Sequence, residues 1–382
     1  MALERTKPLR DENALVGEVS SKRGCTSDDL PKRIERYEKA KRRAALNIQY
    51  LRSSVDFCSD EVGYLKDRLE SCSNWLVFRN YYTLGETKLV RASFCMKHLL
   101  CPLCAIRRAA KSLSAYLERF EVIRADNPRL EPYLLTLTVA NGDELQERFE
   151  HLVSSWRKYQ NRRRQYSKNG RGFNELCKVE GAVFTYEFTH SDKGWHPHIH
   201  AIVMVDPSDP IDFDFQASGH KKSQSRLSKE WLSITGDSSI VDCRPIDTED
   251  PVKSFCEVFK YALKFSDLEP EDNYKAYQVL NGKRLQGSFG LFWGVKVPEK
   301  LTDEILEEEL PYIELFYRYT KAGYSVVDTH HHEGGHIEPA KVIEPLEDRN
   351  NKALANVEKY RSNWWVVERK QQREEEERSL SI

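Results

Sequence analysis

The chain has 382 residues, and its 59 basic and 60 acidic side chains give a formal net charge of −1. This length allows a sizeable core in about two or three modules, and the neutral balance excludes binding to a polyanion through overall charge alone. The N-terminal segment lacks the basic-then-apolar order of a secretory signal, and no run of about 18 apolar residues follows to span a membrane. We therefore expect a soluble cytoplasmic protein without membrane contact.

The chain starts with polar segments that precede the folded modules. Residues 1 to about 30 mix charges without an apolar period, and residues 32–55 combine a helical pattern with many basic side chains. We expect residues 1–60 to form a polar arm and a basic helix.

Four cysteines come next at a spacing typical of a structural metal site. Cys101 and Cys104 bracket a Pro-Leu pair, Cys95 lies shortly before them, and Cys72 is one loop earlier. A two-residue gap that contains proline is a recurring zinc turn, and the odd total of nine cysteines argues against a disulfide framework. We therefore predict a zinc-ribbon-like module over residues 61–118, in which His98 is the alternative fourth ligand. The predicted Zn²⁺ ligands are Cys72, Cys95, Cys101 and Cys104.

Residues 119–300 carry the pattern of an α+β catalytic domain. Residues 132–139 have the pattern of a buried strand, and an amphipathic helical pattern begins at Leu145. Two further strands are predicted at residues 182–189 and 197–205, joined by a polar Ser-Asp-Lys-Gly connection typical of a hairpin. The expected architecture is a central antiparallel sheet with flanking helices.

The last of these strands carries histidines in alternation. Because side chains two residues apart share a strand face, His196, His198 and His200 should converge on one side. Antiparallel pairing about the hairpin loop would bring Glu187 roughly opposite His198 and diagonal to His200. Imidazoles and a carboxylate suit a divalent ion and leave positions open for a phosphate oxygen. We predict Glu187, His198 and His200 as ligands, with His196 as an alternative.

A helix predicted over residues 252–265 presents a tyrosine away from its apolar side. Glu257, Tyr261 and Lys264 fall within one narrow stripe, because residues three and four apart are neighbours on a helix surface. A phenol in this setting can attack phosphorus, provided that Lys264 or a metal ion favours the phenolate. The alternative is an ordinary amphipathic helix with an exposed tyrosine.

Basic side chains cluster in two places. The segment RKYQNRRRQYSKNGR has no acidic residue and interleaves two tyrosines, so it could follow a phosphate backbone while the rings stack on bases. A solvated helix end is the alternative. A second patch follows the cysteine knuckle. The predicted DNA-binding residues are Arg107, Arg108, Arg162, Arg163 and Arg164, with Lys111 beside the second patch.

Residues 301–382 are rich in acidic side chains and end in a charged helical pattern. Solvated surface or contact with a partner is the expected role. His330, His331, His332 and His336 are expected in a solvated loop.

Four segments together resemble the Rep family of rolling-circle plasmid replication initiators. They are CPLCAIRR, LLTLTV with Asn141 close behind, EFTHSDKGWHPHIH and EVFKYALK, and they fall in this order within residues 70–300. The family belongs to the wider class of endonucleases named for a His-hydrophobic-His (HUH) strand. The resemblance implies an HUH-endonuclease-like fold and a protein that binds single- and double-stranded DNA at a plasmid origin.

The resemblance also implies roles for individual residues. His198 and His200 would bind Mg²⁺ or Mn²⁺, and Tyr261 would nick one strand, keep its 5′ phosphate and leave a 3′ hydroxyl primer. Glu257, four residues before the tyrosine, would activate water so that the cycle ends by hydrolysis, with strand transfer as the other ending. A host helicase would be a further partner.

Three other interpretations stay open. A transposase or conjugative relaxase of the same class would share the metal site. A histidine-triad nucleotide hydrolase matches the run His-Pro-His-Ile-His but gives the cysteines and Tyr261 no role. A catalytically inactive, zinc-containing DNA-binding regulator would bind DNA without cleaving it.

Overall fold

The computed structural model describes residues 30–53, 59–213, 225–259, 268–306 and 310–333. In these ranges the chain forms nine strands in two antiparallel sheets, with seven α-helices around them. The prediction of an α+β fold with antiparallel sheets and flanking helices is therefore confirmed. Within the same ranges, none of the helices combines the length and apolar character needed to cross a membrane.

Local signals in the sequence set the ends of several helices. The side chain of Ser59 accepts a hydrogen bond from the Val62 N–H at the start of the second helix, and Pro102 occupies the first turn of the third. Gly170 takes a left-handed conformation, with φ of 69°, and ends the fourth. The helices are α1 (Leu30–Ser53), α2 (Asp60–Ser71), α3 (Pro102–Asp126), α4 (Leu145–Asn169), α5 (Arg226–Thr235), α6 (Pro251–Phe259) and α7 (Pro270–Leu280).

The strands divide between a five-stranded and a four-stranded sheet. They are β1 (Trp75–Tyr81), β2 (Glu86–Ala92), β3 (Glu131–Thr138), β4 (Val179–Ser191), β5 (Gly194–Val205), β6 (Val241–Pro245), β7 (Gln286–Gly290), β8 (Tyr312–Thr320) and β9 (Gly323–His332). The three strands predicted between residues 132 and 205 are all present, and β4 and β5 extend beyond their predicted bounds at the hairpin end.

The five-stranded sheet, hereafter the central sheet, has the order β6-β3-β5-β4-β7. Its first face packs on α4, where the rings of Trp156 and Phe184 lie 5.2 Å apart. Its second face is covered in part by α3 and α6, whose Phe120 and Phe255 rings are 5.0 Å apart and pack in one core with Ile202 of β5. The alternation of side chains along β4 and β5 therefore sends apolar residues to both layers.

The four-stranded sheet has the order β2-β1-β8-β9 and joins distant parts of the chain. Trp75 of β1 pairs with Arg318 of β8. One face of this sheet is buried, because Phe78 and Tyr324 belong to the same core as Tyr37 of α1.

This sheet corrects the prediction of a helical region over residues 301–382. The described part of that region contains β8 and β9, and residues 334–382 with His336 lie outside the described residues. The side chains of the segment YIELFYRYT alternate with the two-residue period of a strand. The helical prediction was based on the acid-rich composition of the whole region and did not take this short segment into account. The run His330–His332 lies exposed on β9 rather than in a loop. The predicted modules 61–118 and 301–382 thus share one sheet.

A buried ionic cluster ties α1, α3 and β2 together. The Asp303 carboxylate accepts a hydrogen bond from Arg33 at 2.8 Å, another from Arg107, and one from the Leu89 N–H at 2.7 Å. Burial alone would raise the pKa of Asp303, but the charges of Arg107 and Arg33 outweigh it and hold that pKa well below its ordinary value. The carboxylate therefore stays ionised and links three elements.

Candidate functional site

The β4–β5 hairpin places the predicted metal ligands in register. Gly194 closes the turn with φ of 81°, and a Cβ there would lie only 2.6 Å from the Gly142 carbonyl oxygen, so the turn needs glycine. In this register Glu187 pairs with His198, and Thr185 pairs with His200. Paired residues of an antiparallel ladder project to the same side, so the carboxylate and both imidazoles share the second face of the central sheet.

The three side chains converge at close range. Glu187 Oε2 lies 3.4 Å from His198 Nε2 and 3.3 Å from His200 Nε2. The exposed fraction of the side chain is 4% for Glu187, 10% for His198 and 16% for His200, so the cluster is buried below and open to solvent on the His200 side. One oxygen and two nitrogen donors in this arrangement can hold a divalent ion with coordination positions left for another ligand.

Neighbouring strands fix the orientation of the imidazoles. His198 Nδ1 donates a hydrogen bond to the His196 carbonyl oxygen at 3.3 Å, and this contact turns Nε2 of the same ring toward Glu187. His200 Nδ1 shares a hydrogen bond of 3.0 Å with Thr136 Oγ1 on β3. Such contacts to the far ring nitrogen are what metal-binding histidines ordinarily have.

The carboxylate of Glu187 is kept in its charged form. Burial would raise the pKa of Glu187, but hydrogen bonds with His198 and then His200 outweigh that effect and lower the pKa well below its usual value. An ionised carboxylate among imidazole nitrogens fits a divalent cation. His196 contributes its backbone carbonyl to this site, and its ring nitrogens are not among the converging donors.

Helix α6 approaches the same face of the central sheet. Thr185 Oγ1 donates a hydrogen bond of 2.5 Å to the Val258 carbonyl oxygen, and Phe255 packs in the core beneath. Thr185 is the residue paired with His200, so the last described turn of α6 is anchored beside the predicted metal ligands. Glu257 is half-buried on this helix, and the predicted Tyr261 and Lys264 lie outside the described residues.

A second donor cluster lies at the start of α3. Cys72 Sγ is 3.6 Å from both Cys101 Sγ and Cys104 Sγ, and Cys95 Sγ is 3.5 Å from Cys104 Sγ. All four thiols are buried and none forms a disulfide. Hydrogen bonds from Cys101 and Cys104 hold the pKa of Cys72 well below its ordinary value. The predicted quartet is therefore brought together, and His98 is not part of it.

Backbone turns place the four thiols around one point. Cys72 caps the end of α2, Cys101 precedes the first turn of α3, and Cys95 follows β2. Ser73 directly follows Cys72 and has a φ of 52°, and Met96 directly follows Cys95 and has a φ of 60°. The left-handed region is sparsely used by residues other than glycine, so these two turns are strained in order to aim the thiols.

A model of the Rep_1 family, described as replication protein, matches residues 86–314. The chain belongs to this family of replication proteins. A Protein rep of Streptococcus pneumoniae serotype 2 (strain D39 / NCTC 7466) is 30% identical over 250 residues, which cover 61% of this chain and 72% of the relative. A Protein rep of a Bacillus species is 29% identical over 185 residues, which cover 47% of this chain and 52% of that relative. No solved structure matches the chain.

The match confirms the resemblance to Rep proteins inferred from the four segments. It encloses the Glu187, His198 and His200 cluster, α6 and three of the four clustered cysteines, whereas Cys72 lies before it. The Glu187, His198 and His200 cluster of this Rep_1 protein therefore belongs to the family region, and β9 lies beyond that region.

The arginines of the Rep_1 protein differ in their availability. The prediction that Arg107 contacts DNA is wrong, because its side chain is 2% exposed and is bound by Asp303, the Leu301 carbonyl and the Tyr37 hydroxyl. Sequence cannot separate such a buried arginine from an exposed one beside it, since both lie in one basic run. Arg108 is half-buried.

The second basic segment is also divided. Arg163 donates hydrogen bonds to the carbonyl oxygens of Leu176 and Val179 and lies over the Phe289 ring, so it fastens the end of α4. Arg162 and Arg164 are exposed on the same helix. They keep the prediction of phosphate contact, and Arg163 has a structural role.

Two residues of this site were missed by the sequence patterns. Thr136 orients His200, and Thr185 binds the Val258 carbonyl of α6. Both lie on strands whose partners are set by long-range pairing. The available signal was the alternation of threonines in LLTLTV and AVFTYEFT, which marks the more polar face of each strand.

Proposed function

We propose that this replication protein initiates rolling-circle replication of a plasmid by nicking one DNA strand at the origin through a metal-dependent tyrosine nucleophile. The observation that carries the proposal is the Glu187, His198 and His200 cluster, which opens toward solvent on the face where Thr185 anchors α6. An open site of hard and borderline donors next to a helix is suited to phosphodiester chemistry.

Glu187, His198 and His200 would hold Mg²⁺ or Mn²⁺ in this proposal. When bound, the ion would act as a Lewis acid on a non-bridging oxygen of the scissile phosphate. The protein supplies the orientation, since Thr136 and the His196 carbonyl fix both rings. The cysteine quartet would hold a structural Zn²⁺, because four buried thiols leave no open position for substrate.

Tyr261 is the proposed nucleophile, with Lys264 favouring its phenolate. The phenolate oxygen attacks phosphorus, a new O–P bond forms, and the bond from phosphorus to the 3′ oxygen breaks. The phenolic proton ends on the departing 3′ oxygen, so the products are a 5′-phosphotyrosyl strand and a 3′ hydroxyl. Only two residues separate Val258 from Tyr261 in the sequence. Because consecutive Cα atoms lie about 3.8 Å apart, Tyr261 lies within a short chain distance of the anchored turn of α6.

Glu257 is proposed to end the cycle. As a general base it would take a proton from water, whose oxygen then displaces the tyrosyl oxygen from phosphorus. Strand transfer to a 3′ hydroxyl is the alternative ending. Residues 119–300 would form the nickase domain, DNA at the origin would be the main partner, and a host helicase would be a further one.

Two rival functions receive less support. A mononucleotide hydrolase with a histidine nucleophile would leave the cysteine quartet and the anchored α6 without a role, and the family match is to replication proteins. An inactive regulator would not need one carboxylate and two imidazoles oriented by separate hydrogen bonds. A transposase or relaxase would share the site, but the matched family is described as replication protein and the relatives are named Protein rep.

The test uses the purified protein with Mn²⁺ or with a chelator on labelled single strands tiled across the DNA that flanks its gene. A denaturant-resistant protein–DNA adduct should form only with metal and should disappear in Tyr261→Phe. The matched control is Tyr64→Phe, which changes an exposed tyrosine on α2 and should leave the adduct unchanged. An adduct that persists in Tyr261→Phe would overturn the tyrosine assignment, and tight binding without any adduct would favour the regulator.

A second variant separates the two chemical steps. Glu257→Ala should form the adduct normally but release it more slowly by hydrolysis. Equal loss of both steps would exclude a role as the base that activates water.

A further inference from the structure

The four-stranded sheet has two different faces. Phe78, Leu89 and Tyr324 on one face are buried against α1 and the cysteine cluster. The opposite face, hereafter the open face, carries Tyr312 and Phe316 of β8 among charged side chains, and both rings are half-exposed. Every residue of β9 from 325 to 332 is exposed, whereas Val77 and Tyr81 of β1 are buried, so the open face is accessible mainly along β8 and β9.

The aromatic and histidine rings of the open face form an array of two groups, one around Tyr312 and one around Phe316. The Tyr312 ring lies 5.5 Å from the Tyr81 ring on β1 and 4.7 Å from the His332 ring on β9. The Phe316 ring lies 5.1 Å from the His330 ring, whose side chain is 61% exposed. The array therefore crosses three neighbouring strands. Its Tyr81 ring is buried, and its two half-exposed rings, Tyr312 and Phe316, lie on the central strand β8.

Guanidinium groups extend this array. The Arg79 guanidinium lies 4.2 Å from the centroid of Tyr312, and that of Arg91 lies 5.9 Å from the centroid of Phe316. Both arginines are held in place by the Glu314 carboxylate, at 2.8 and 3.2 Å. Planar cations fixed beside rings offer further flat surface for stacking.

The charge of the open face favours a polyanion. Its acidic groups are Glu86, which pairs with Lys88 at 2.8 Å, Glu314, which is shared by two arginines, and Asp328, which contacts His330 at 2.9 Å. Each acidic group thus has a basic neighbour on the sheet. Arg318 is exposed beside Phe316 and adds positive charge, so the basic side chains outnumber the acidic ones even without the histidines.

We infer that the open face binds single-stranded DNA by stacking bases on Tyr312 and Phe316, while the arginines contact phosphates. Unpaired bases present flat faces to such rings, whereas a duplex hides them in its stack, so the surface should select single strands. The choice of DNA rests on the proposed function, because nicking and strand displacement at an origin expose a single strand. Stacking does not distinguish bases, so the binding should not depend on sequence.

The test measures fluorescence anisotropy of the full-length protein with a labelled oligothymidylate of about 20 nucleotides, without added divalent metal. Replacing both rings in Tyr312→Leu/Phe316→Leu keeps apolar bulk but removes the aromatic faces. Each ring should contribute about tenfold, so the double variant should bind about 100-fold more weakly. A duplex of the same length should lose less than about threefold.

The matched control is Tyr64→Leu/Tyr82→Leu, which removes two exposed aromatic rings outside the array and should leave the affinity unchanged. Unchanged binding by the Tyr312→Leu/Phe316→Leu protein would overturn the inference, and so would an equal loss for duplex.

A crosslinking measurement does not depend on the folding of any variant. An oligonucleotide with 5-iododeoxyuridine should crosslink to a peptide that contains Tyr312 or Phe316 in the unaltered protein. Crosslinks confined to other peptides would contradict the inference. Because neither assay requires cleavage, a protein that forms no tyrosyl adduct but binds through these rings would refute the proposed nickase and leave the surface standing.

Discussion

The two donor clusters of this protein differ in their access to solvent. The thiols of Cys72, Cys95, Cys101 and Cys104 are at most 2% exposed, whereas exposure in the other cluster rises from Glu187 at 4% to His200 at 16%. A closed set of four donors suits an ion that holds the fold, and an open set of three suits an ion that must also touch a substrate. On the proposed assignment, burial and donor type therefore distinguish a site that stabilises the fold from a site of chemistry.

The two clusters also differ in the elements that position their donor side chains. The thiols are contributed by helix ends and loops, and their neighbour Lys41 donates hydrogen bonds to the Cys72 carbonyl and, at 2.9 Å, to Asn74 Oδ1. Burial lowers the pKa of Lys41, although the surrounding thiols partly oppose that effect. The imidazoles are instead contributed by one strand whose register is fixed by two neighbours. Loops and helix ends that contribute ligands to one ion depend on that ion for their conformation, whereas a strand is held in place by its sheet.

The largest expected effect is on the closed cluster. Cys104→Ser should abolish binding of the proposed structural Zn²⁺ and unfold the region around α3, since such an ion contributes on the order of 10 kcal/mol. Circular dichroism and metal analysis by mass spectrometry would show both losses. Cys177→Ser is the matched control, because that half-buried thiol lies outside the cluster and should change neither signal. A Cys104→Ser protein with an unchanged melting temperature would erase the proposed distinction.

Substitutions in the Glu187, His198 and His200 cluster should lower activity and leave the fold intact. His198→Ala or His200→Ala should lower nicking by about 10³-fold, because several kcal/mol of charge stabilisation are lost, while folding and DNA binding stay near normal. A nicking assay with a parallel thermal melt would distinguish a loss of activity from a loss of folding. His196→Ala is the control, since its ring lies outside the converging donors. Retained nicking in the first two variants would remove the metal assignment.

A substitution at Asp303 tests whether ion pairs, and not only the proposed Zn²⁺, stabilise the part of the fold around α1 and α3. Asp303→Asn should destabilise the fold by about 3 to 5 kcal/mol, because Arg33 and Arg107 would remain buried without their charge partner. Urea unfolding would measure the change. Glu35→Gln removes an exposed pair with Lys39 and should give no resolvable difference.

The same carboxylate predicts an acid dependence. The pKa of Asp303 is depressed in the folded protein, so its contribution is present above the unfolded pKa of about 3.9 and is lost progressively as the pH falls below that value. The difference between wild type and Asp303→Asn should therefore shrink on acidification. A difference that stayed constant down to about pH 2 would contradict the ionic origin of the effect.

The smallest expected effect concerns Thr136. Thr136→Val keeps the shape of the side chain but removes its hydrogen bond with His200, so the affinity for Mn²⁺ should fall about 10- to 100-fold by calorimetry. Thr138→Val on the same strand loses contacts to Ser238 and Ile240 instead and should leave Mn²⁺ affinity unaltered. Equal losses would mean that β3 merely supports the sheet.

Local patterns predicted much of the candidate metal site. The Ser191–Gly194 connection fixed the register of β4 against β5, and with it the pairing of Glu187 with His198. A two-residue period and a short loop leave little freedom, so these positions follow from nearby residues alone. The cysteine quartet was predictable for a similar reason, because three of its members lie close together in sequence.

Features that depend on distant pairing were not predictable in this way. Thr136 faces His200 only because β3 pairs with β5, and the β8–β9 hairpin is recognisable as part of a sheet only beside β1. Arg107 was assigned to DNA from the basic patch after the cysteine knuckle, and its burial could not be predicted because its partner Asp303 lies far along the chain. The tyrosine at 261 lies outside the described residues, so its assignment stays a prediction.

The pairing of β1 with β8 has a consequence for synthesis of the protein. Arg79 and Glu314, which meet across these strands, are 235 residues apart in the chain. At a ribosomal rate of about 5 to 20 residues per second, β1 emerges at least roughly ten seconds before its partner and must wait with an unsatisfied edge. A nascent chain stalled before residue 312 would thus expose an aggregation-prone edge, and the central sheet, complete with β7, can fold first and bring the two ends together.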